Sequence, residues 1–380
     1  MNFSKIEKIL ANAPKFRAQQ IKQLIWRDLI DDWDRATTLP IELKGKLKKE
    51  APLKIKSRIF VSKDGRTVKA VIVLEDGLKT ETVLMRHRGR NTLCVSSQIG
   101  CPLGCVFCAT GQSGFKRNLS YSEIVEQAFF FARWLKKESE MINNVVFMGM
   151  GEPFLNYNEV MAAIKILNDK DSFNIGSRHI SVSTVGITEG IKKFTDESFQ
   201  ANPRTCINFK KQSGIKKHLG VGVNLAISLH APNDELRSKI MPVNKKYPLA
   251  DVIKAARDYL NKTNRKIMFE YVMIKSVNDT DKRAQELVSL LKDLPKRLFM
   301  INLITYNPTG VFTPLQNLQK NSVGQGLSVD FATGFKPSPP ARVQKFKDIL
   351  MKAGLQAIER FRFGDDIAGA CGQLAGNSYE

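Results

Sequence analysis

From about residue 90 onward the chain alternates short apolar runs with amphipathic stretches, and this alternation restricts its fold more than any other feature. The apolar runs are TLCVS (92–96), NVVFMG (144–149), HISVST (179–184), VNLAISL (223–229), KIMFEYVMI (266–274) and FMINLIT (299–305). Each is too short for a buried helix and rich in β-branched residues, so each reads as a buried strand. Between them lie YSEIVEQAFFFARWL, YNEVMAAIKIL, LADVIKAARDYL and KRAQELVSLLKDL, with apolar residues at helical spacing. A βα unit repeated about six times predicts a parallel sheet, because parallel neighbours need a long crossover that a helix supplies. The sheet is either curved into a partial barrel or doubly wound. In both cases functional groups belong on the loops after the carboxyl ends of the strands.

Residues 1–80 have a different texture. FRAQQIKQLIWRDLI (16–30) carries helical spacing, KGKLKKEAPLKIKSR (44–58) is strongly basic, and RIFVSKDG and KAVIVLEDG read as strands ending in Asp-Gly turns. This predicts a small basic, mainly helical accessory domain over 1–85, either a packing cap or an RNA-contacting surface. The core domain then spans 86–365 and a C-terminal segment 366–380. Residues 191–220 and 309–340 interrupt the repeat and read as surface insertions.

At 380 residues the chain can bury a large core, and Lys+Arg exceed Asp+Glu by 59 to 37, for a net charge of +22. Such an excess points to a polyanionic partner, with nucleic acid foremost. Basic runs at Lys44–Arg58, Arg86–Arg90 and Lys210–Lys217 are the candidates for phosphate contact. No stretch approaches 18 consecutive apolar residues, so no membrane partner is expected and the cytoplasm is the expected compartment. Six cysteines in so long a chain are too few and too clustered for a secreted disulfide framework.

Three of the six stand in CPLGCVFC as Cys101, Cys105 and Cys108, on the loop after the first strand of the repeat. A structural zinc site takes four protein ligands, and here a fourth would have to come from a distant His87, His179, His218 or His230. A four-iron cluster held by three thiolates instead keeps one iron open to an outside ligand.

The run LCVSSQIGCPLGCVFCATGQSGFKRNL, followed by NVVFMGMGEP, LAISLHAPNDELR, PVNKKY and GDDIAGACGQLAG, resembles the RlmN/Cfr family of radical S-adenosylmethionine (SAM) RNA methyltransferases over residues 10–376. The resemblance implies an α/β fold, a partial (β/α)6 radical SAM barrel. It implies that Cys101, Cys105 and Cys108 hold a [4Fe–4S] cluster, and that Gly151, Glu152, Ser183, Ser228, Leu229, His230 and Asn307 line the SAM site. It further implies Cys371 as the cysteine that carries a methyl group, Cys94 as the thiol that later attacks its sulfur, and Glu81 as the proton acceptor. The implied substrates are an adenosine of 23S rRNA and, for RlmN, an adenosine beside the anticodon of some tRNAs. An electron donor such as flavodoxin or ferredoxin is implied as a partner. GMGEP, SLHAPNDELR and GDDI resemble RlmN, which methylates adenine C2, more than Cfr, which methylates C8. The alternative from another class is a zinc-containing RNA-binding protein without catalysis. Cys206 lies in an unmatched insertion and receives no role.

Overall fold

The computed structural model describes residues 3–200, 222–309 and 334–375. The chain opens with three helices, Phe3–Leu10 (α1), Lys15–Lys22 (α2) and Ile41–Glu50 (α3), then three strands, Lys56–Val61 (β1), Thr67–Val73 (β2) and Lys79–His87 (β3). There follow Arg90–Cys94 (β4), Gln98–Gly100 (β5), Ala109–Gln112 (α4), Phe115–Asn118 (β6), Tyr121–Lys136 (α5), Asn144–Phe147 (β7), Tyr157–Asn168 (α6), Ile180–Thr184 (β8) and Thr188–Gln200 (α7). The second half comprises Asn224–Ser228 (β9), Asp234–Ile240 (α8), Leu249–Thr263 (α9), Ile267–Met273 (β10), Asp281–Leu291 (α10), Phe299–Thr305 (β11), Pro340–Lys352 (α11) and Ala357–Glu359 (β12).

One sheet runs in the order β1-β2-β3-β4-β7-β8-β9-β10-β11-β12. The pairs from β4 to β12 are all parallel, whereas β1, β2, β3 and β4 pair antiparallel. All six strands read from the sequence are present, and the short β12 adds a seventh to the parallel set. Leu93, Val145, Ile180, Val182, Leu225, Ile227, Ile267, Phe269, Ile301 and Leu303 are all buried, as strands covered on both faces require. A single cavity touches residues of β3, β4, β7, β8, β9, β10 and β11, so the sheet curls around it as a partial barrel rather than lying open between two helical layers.

Two expectations need correction. The boundary at residues 85/86 falls inside β3, and the sheet continues unbroken across it, because β3 finds its second partner in β4. Residues 191–200 complete α7 and do not form a surface insertion: Ile191 and Phe194 are fully buried, and Phe194 stacks on Tyr259 of α9. Residues 334–340, the end of the second insertion, are mostly exposed and are attached by Lys275 N–H to Lys336 O and by Ser338 Oγ to Asp279 Oδ2. Cys206, His218, Lys210–Lys217 and most of the second insertion lie outside the described residues.

The N-terminal helices seat on α5. Phe3, Trp26 and Phe129 form an aromatic cluster, and the Arg133 guanidinium donates to the carbonyls of Leu29, Ile30 and Leu53. The start of α5 is fixed by a capping box, in which Ser120 Oγ accepts from Glu123 N and the Glu123 carboxylate accepts from Ser120 N. Glu123 also binds Arg117 at 2.8 Å, which locks the cap to β6. Ser120→Ala removes an acceptor for an otherwise orphaned N–H and should cost about 1 kcal/mol, read as a lowered urea midpoint at unchanged slope.

Candidate active site

Parallel strands all end at one edge, and the site is built there. After β4 the chain makes the short β5–β6 hairpin, with the cysteine loop between its strands. Gly100 is required at the loop's entrance: it has φ +72°, and a Cβ there would lie 1.7 Å from Gly114 O. Cys101, Cys105 and Cys108 all line the cavity. Cys105 is buried among Ile240, Met241 and Tyr306, and the adjoining Val106 N–H donates to Ile240 O at 3.1 Å. Burial pushes the Cys101 thiol up to about 12 and the Cys105 thiol well above its ordinary value. A bound metal would reverse this, since coordination deprotonates a thiol outright.

An all-sulfur donor set on one loop suits an iron–sulfur cluster. Among the described residues the zinc alternative gains no fourth ligand from His87 or His179. Among the described residues no group of three or more His, Cys, Asp or Glu is arranged to hold a single metal ion. His179 Nδ1 bonds Asn144 Oδ1 at the opposite, amino end of the barrel, and His87 packs on Phe363.

Around the cavity, Gly151, Glu152, Ser183, Ser228, His230 and Asn307 come from the ends of β7, β8, β9 and β11. Gly151 has φ +97°, and any Cβ would strike Gln98, so the loop after β7 tucks under β5 only with glycine. Glu152 ties two strand ends together, accepting from Phe154 N at 3.0 Å and Val185 N at 2.8 Å; burial pushes its carboxyl up to about 7. Ser183 and Ser228 meet at 3.5 Å. Leu229 differs from the others, because its side chain is buried in the core and does not line the cavity. Its backbone N–H donates to Glu270 O at 3.0 Å and its carbonyl accepts from Arg237 Nε at 3.1 Å.

Asn307 faces two ways: its Nδ2 donates to Cys371 O at 3.1 Å, while its Oδ1 is buried without a partner. Glu270 Oε2 is likewise buried in the cavity wall without a hydrogen bond. Unpaired buried oxygens are rare in native folds, and these two call for the donors that a polar ligand would bring.

Cys371 sits on a C-terminal strap, residues 360–375, that crosses from β12 back to β2. Gly372 O accepts from Ala109 N at 2.7 Å, Thr110 Oγ1 bonds Leu374 O, Gln373 Nε2 reaches Pro308 O at 2.8 Å and Lys69 Nζ reaches Ala368 O at 3.1 Å. Cys371 thereby faces the same cavity as Cys94 and the cysteine loop. Both cysteines are free thiols. Burial pushes Cys94 up to about 12 and raises Cys371, while the Arg360 guanidinium works in the opposite direction on both. Glu81 is fully buried on β3, on the same strand face as Val83 and Met85 of the cavity wall, with Lys69 Nζ at 3.4 Å from its carboxylate.

Glu270 and Arg360 were not found from the sequence. Arg360 lies over the cavity with Nη1 3.2 Å from Met148 Sδ, and Glu270 receives Asn302 Nδ2 at 2.9 Å. The usable signal for Glu270 was a lone carboxylate inside the apolar run KIMFEYVMI, since a charge in a doubly covered strand needs a reason.

A parallel barrel with a three-thiol loop at its carboxyl edge is a radical SAM architecture, and the family description "Radical SAM superfamily" matches residues 95–288. The chain is similar to the "Probable dual-specificity RNA methyltransferase RlmN" of Dictyoglomus turgidum, 38% identical over 95% of this chain and 90% of that one. It is likewise similar to the same-named protein of Chloroflexus aurantiacus, 39% identical over 99% and 91%. The solved structure of a radical SAM methyltransferase from Sphaerobacter thermophilus superposes with a TM-score of 0.83 at 36% identity, covering 99% of this chain and 98% of that one. The chain belongs to the RlmN/Cfr family of radical SAM RNA methyltransferases. Among the described residues no helix is long and apolar enough to cross a membrane.

His230 gives a pH prediction. Its Nδ1 accepts from Val272 N at 3.0 Å, the Phe107 ring stands edge-on to it at 5.0 Å, and burial, aided by the Arg237 charge, lowers its pKa to about 3. In the unfolded chain it protonates near 6.5. Between these two values only the unfolded state takes the proton, so stability is full above about 6.5 and declines as pH falls toward 3. His230→Gln should flatten this part of the acid-unfolding curve. The imidazole signals of the wild type should stay those of the neutral ring from pH 8 to pH 5.

Proposed function

We propose that the chain methylates C2 of a specific adenosine in 23S rRNA, and C2 of the adenosine next to the anticodon in tRNAs, by way of a methyl group carried on Cys371. The observation that carries this reading is the strap: it holds Cys371 by its backbone against the cysteine loop, in the cavity that also contains Cys94. Adenine C2 lies between two ring nitrogens and is too electron-poor to attack the methyl of SAM as an amine or thiol does. A [4Fe–4S] cluster on Cys101, Cys105 and Cys108, with SAM at its open iron, would supply the one-electron chemistry that such a carbon requires.

The chain's own groups then have separate tasks. Glu152, Ser183, Ser228, His230, Asn307 and the Gly151 and Leu229 backbone orient SAM. Cys371 accepts the methyl group and presents its carbon to the base. Glu81 takes the C2 proton, with Lys69 as the cation that balances its carboxylate. Cys94 attacks the Cys371 sulfur and frees the RNA, leaving a transient disulfide. The base must be unstacked to enter the cavity. Exposed Lys46, Lys49, Lys54, Lys56 and Arg58, together with Arg88 and Arg90, supply phosphate contacts, whereas Arg86 is held by Glu138 at 2.5 Å. Flavodoxin or ferredoxin serves as the electron donor, and the cytoplasm is the compartment.

Unmodified ribosomal RNA treated with reconstituted enzyme and SAM should yield 2-methyladenosine on digestion. A dominant 8-methyladenosine product would replace this reading with a Cfr-like one. The two outlying cysteines should separate: Cys371→Ala forms no product and no adduct, while Cys94→Ala accumulates a covalent protein–RNA adduct. Equal, adduct-free inactivity of both variants would remove the two-cysteine scheme.

A further inference from the structure

Arg237, on α8, is fully buried and uses all five of its N–H groups. Nε donates to Leu229 O at 3.1 Å, Nη1 to Asn244 Oδ1 at 2.8 Å and Tyr247 O at 3.1 Å, and Nη2 to Ser228 O at 3.1 Å and to Val185 O. Every acceptor is neutral. A buried charge is costly unless an opposite charge offsets it, and here the hydrogen bonds are complete while, among the described residues, no carboxylate bonds the guanidinium. Asp234 is exposed, and its Oδ1 already accepts from Leu249 N at 2.8 Å and Asn244 Nδ2 at 3.0 Å. On the buried side stands Cys105, which packs with Leu236 and Ile240 of the same helix. Burial lowers the Arg237 pKa to about 10, and Cys105 opposes that effect more than Asp234 does.

Three of the five acceptors, Val185 O, Ser228 O and Leu229 O, belong to the ends of β8 and β9 that face the cavity. The guanidinium therefore spans two strand ends, and its helix packs on the cysteine loop through Leu236 and Ile240. We propose that Arg237 is a positioning residue with two separable effects: its hydrogen bonds fix the β8–β9 rim against which SAM sits, and its unbalanced positive charge raises the reduction potential of a cluster held by Cys101, Cys105 and Cys108. This rests on the cofactor reading given above. A cluster on three thiolates is net negative and becomes more so on reduction, so a fixed buried cation favours the reduced form. The cluster supplies the counter-charge that Arg237 lacks.

The test uses full-length protein reconstituted anaerobically with iron and sulfide, with no RNA and no turnover. Cluster reduction is followed by visible absorbance and electron paramagnetic resonance against applied potential, and SAM affinity is measured by equilibrium dialysis on the oxidised protein. Arg237→Met should lower the ratio of reduced to oxidised cluster at fixed potential by tenfold or more, a shift of about 59 mV to more negative values for one electron. Arg237→Lys keeps the charge and should hold the wild-type potential. Both variants should bind SAM at least tenfold more weakly, because neither can rebuild five bonds.

Asn244→Asp guards against a misfolded Met variant. It keeps the acceptor of Arg237 and adds the missing carboxylate, at the expense of the Asn244 Nδ2 bonds to Asp234 and Ser238. It too should lower the potential. Unchanged potentials in both Arg237→Met and Asn244→Asp would overturn the charge effect, and wild-type SAM affinity in Arg237→Lys would overturn the positioning effect. Wild-type protein that binds no iron would overturn the cofactor reading itself, and this inference with it.

Discussion

Parallel pairing from β4 to β12 is the constraint from which the rest of the site follows. Strands that run the same way end at the same edge, so seven loops converge there, with the helices between them on the outside. The sheet's curvature then turns a row of loops into a ring. Residues as far apart in the chain as Cys94, Glu152, Ser228 and Asn307 come to line one cavity, although no two of them lie on the same loop. Because the strand cores are apolar, the few polar groups at this edge stand out as buried, desolvated and shifted in acidity.

An open parallel sheet leaves a gap between its first and last strands, and two devices manage it. The antiparallel β1–β3 extend the sheet past β4, and the strap after β12 crosses to meet them. Lys63 N bonds Asp366 Oδ2 at 2.8 Å, and Gly364 packs on Thr67 so tightly that a Cβ would approach it to 2.6 Å. Lys69 links Glu81 to the strap at Ala368 O, joining an N-terminal strand to the segment that carries Cys371. The N-terminal region thus holds one wall of the site as well as capping α5.

What could be read from the sequence follows from how local each signal was. The six strands of the repeat and four of the helices announced themselves because apolar periodicity depends only on near neighbours. Cys101, Cys105 and Cys108 were legible from spacing. By contrast, β12 and the β5–β6 hairpin are three or four residues per strand and exist only because a distant partner pairs with them. Residues 191–200 were read as part of the basic insertion 191–220, yet two residues a turn apart, Ile191 and Phe194, anchor them to the core. Leu229 was included in the site by its motif, and its side chain points instead into the core. The pairing of Lys69 with Glu81, and of Arg360 with the cysteines, depends on strand register and on the strap's path, neither of which the sequence carries locally.

Burial governs the acidity of the Cys94 thiol, while Cys371 of the same cavity lies exposed on the strap. Thiolate attacks and thiol does not, and the Cys94 thiol, at about 12, is protonated at neutral pH. The one cation that lowers it, Arg360, has its own field offset by the buried Glu270 carboxylate, which in turn is bonded to Asn302. The balance among Cys94, Cys371, Arg360 and Glu270 therefore sets how much thiolate is present, and any change that desolvates Glu270 further, or gives its free Oε2 a donor, shifts that balance. Glu270 made neutral leaves the Arg360 charge unopposed at the two sulfurs, whereas Glu270 kept ionised by a bound donor cancels it. Glu270 thus bears on the acidity of both thiols, on Cys371 directly and on each through the Arg360 charge.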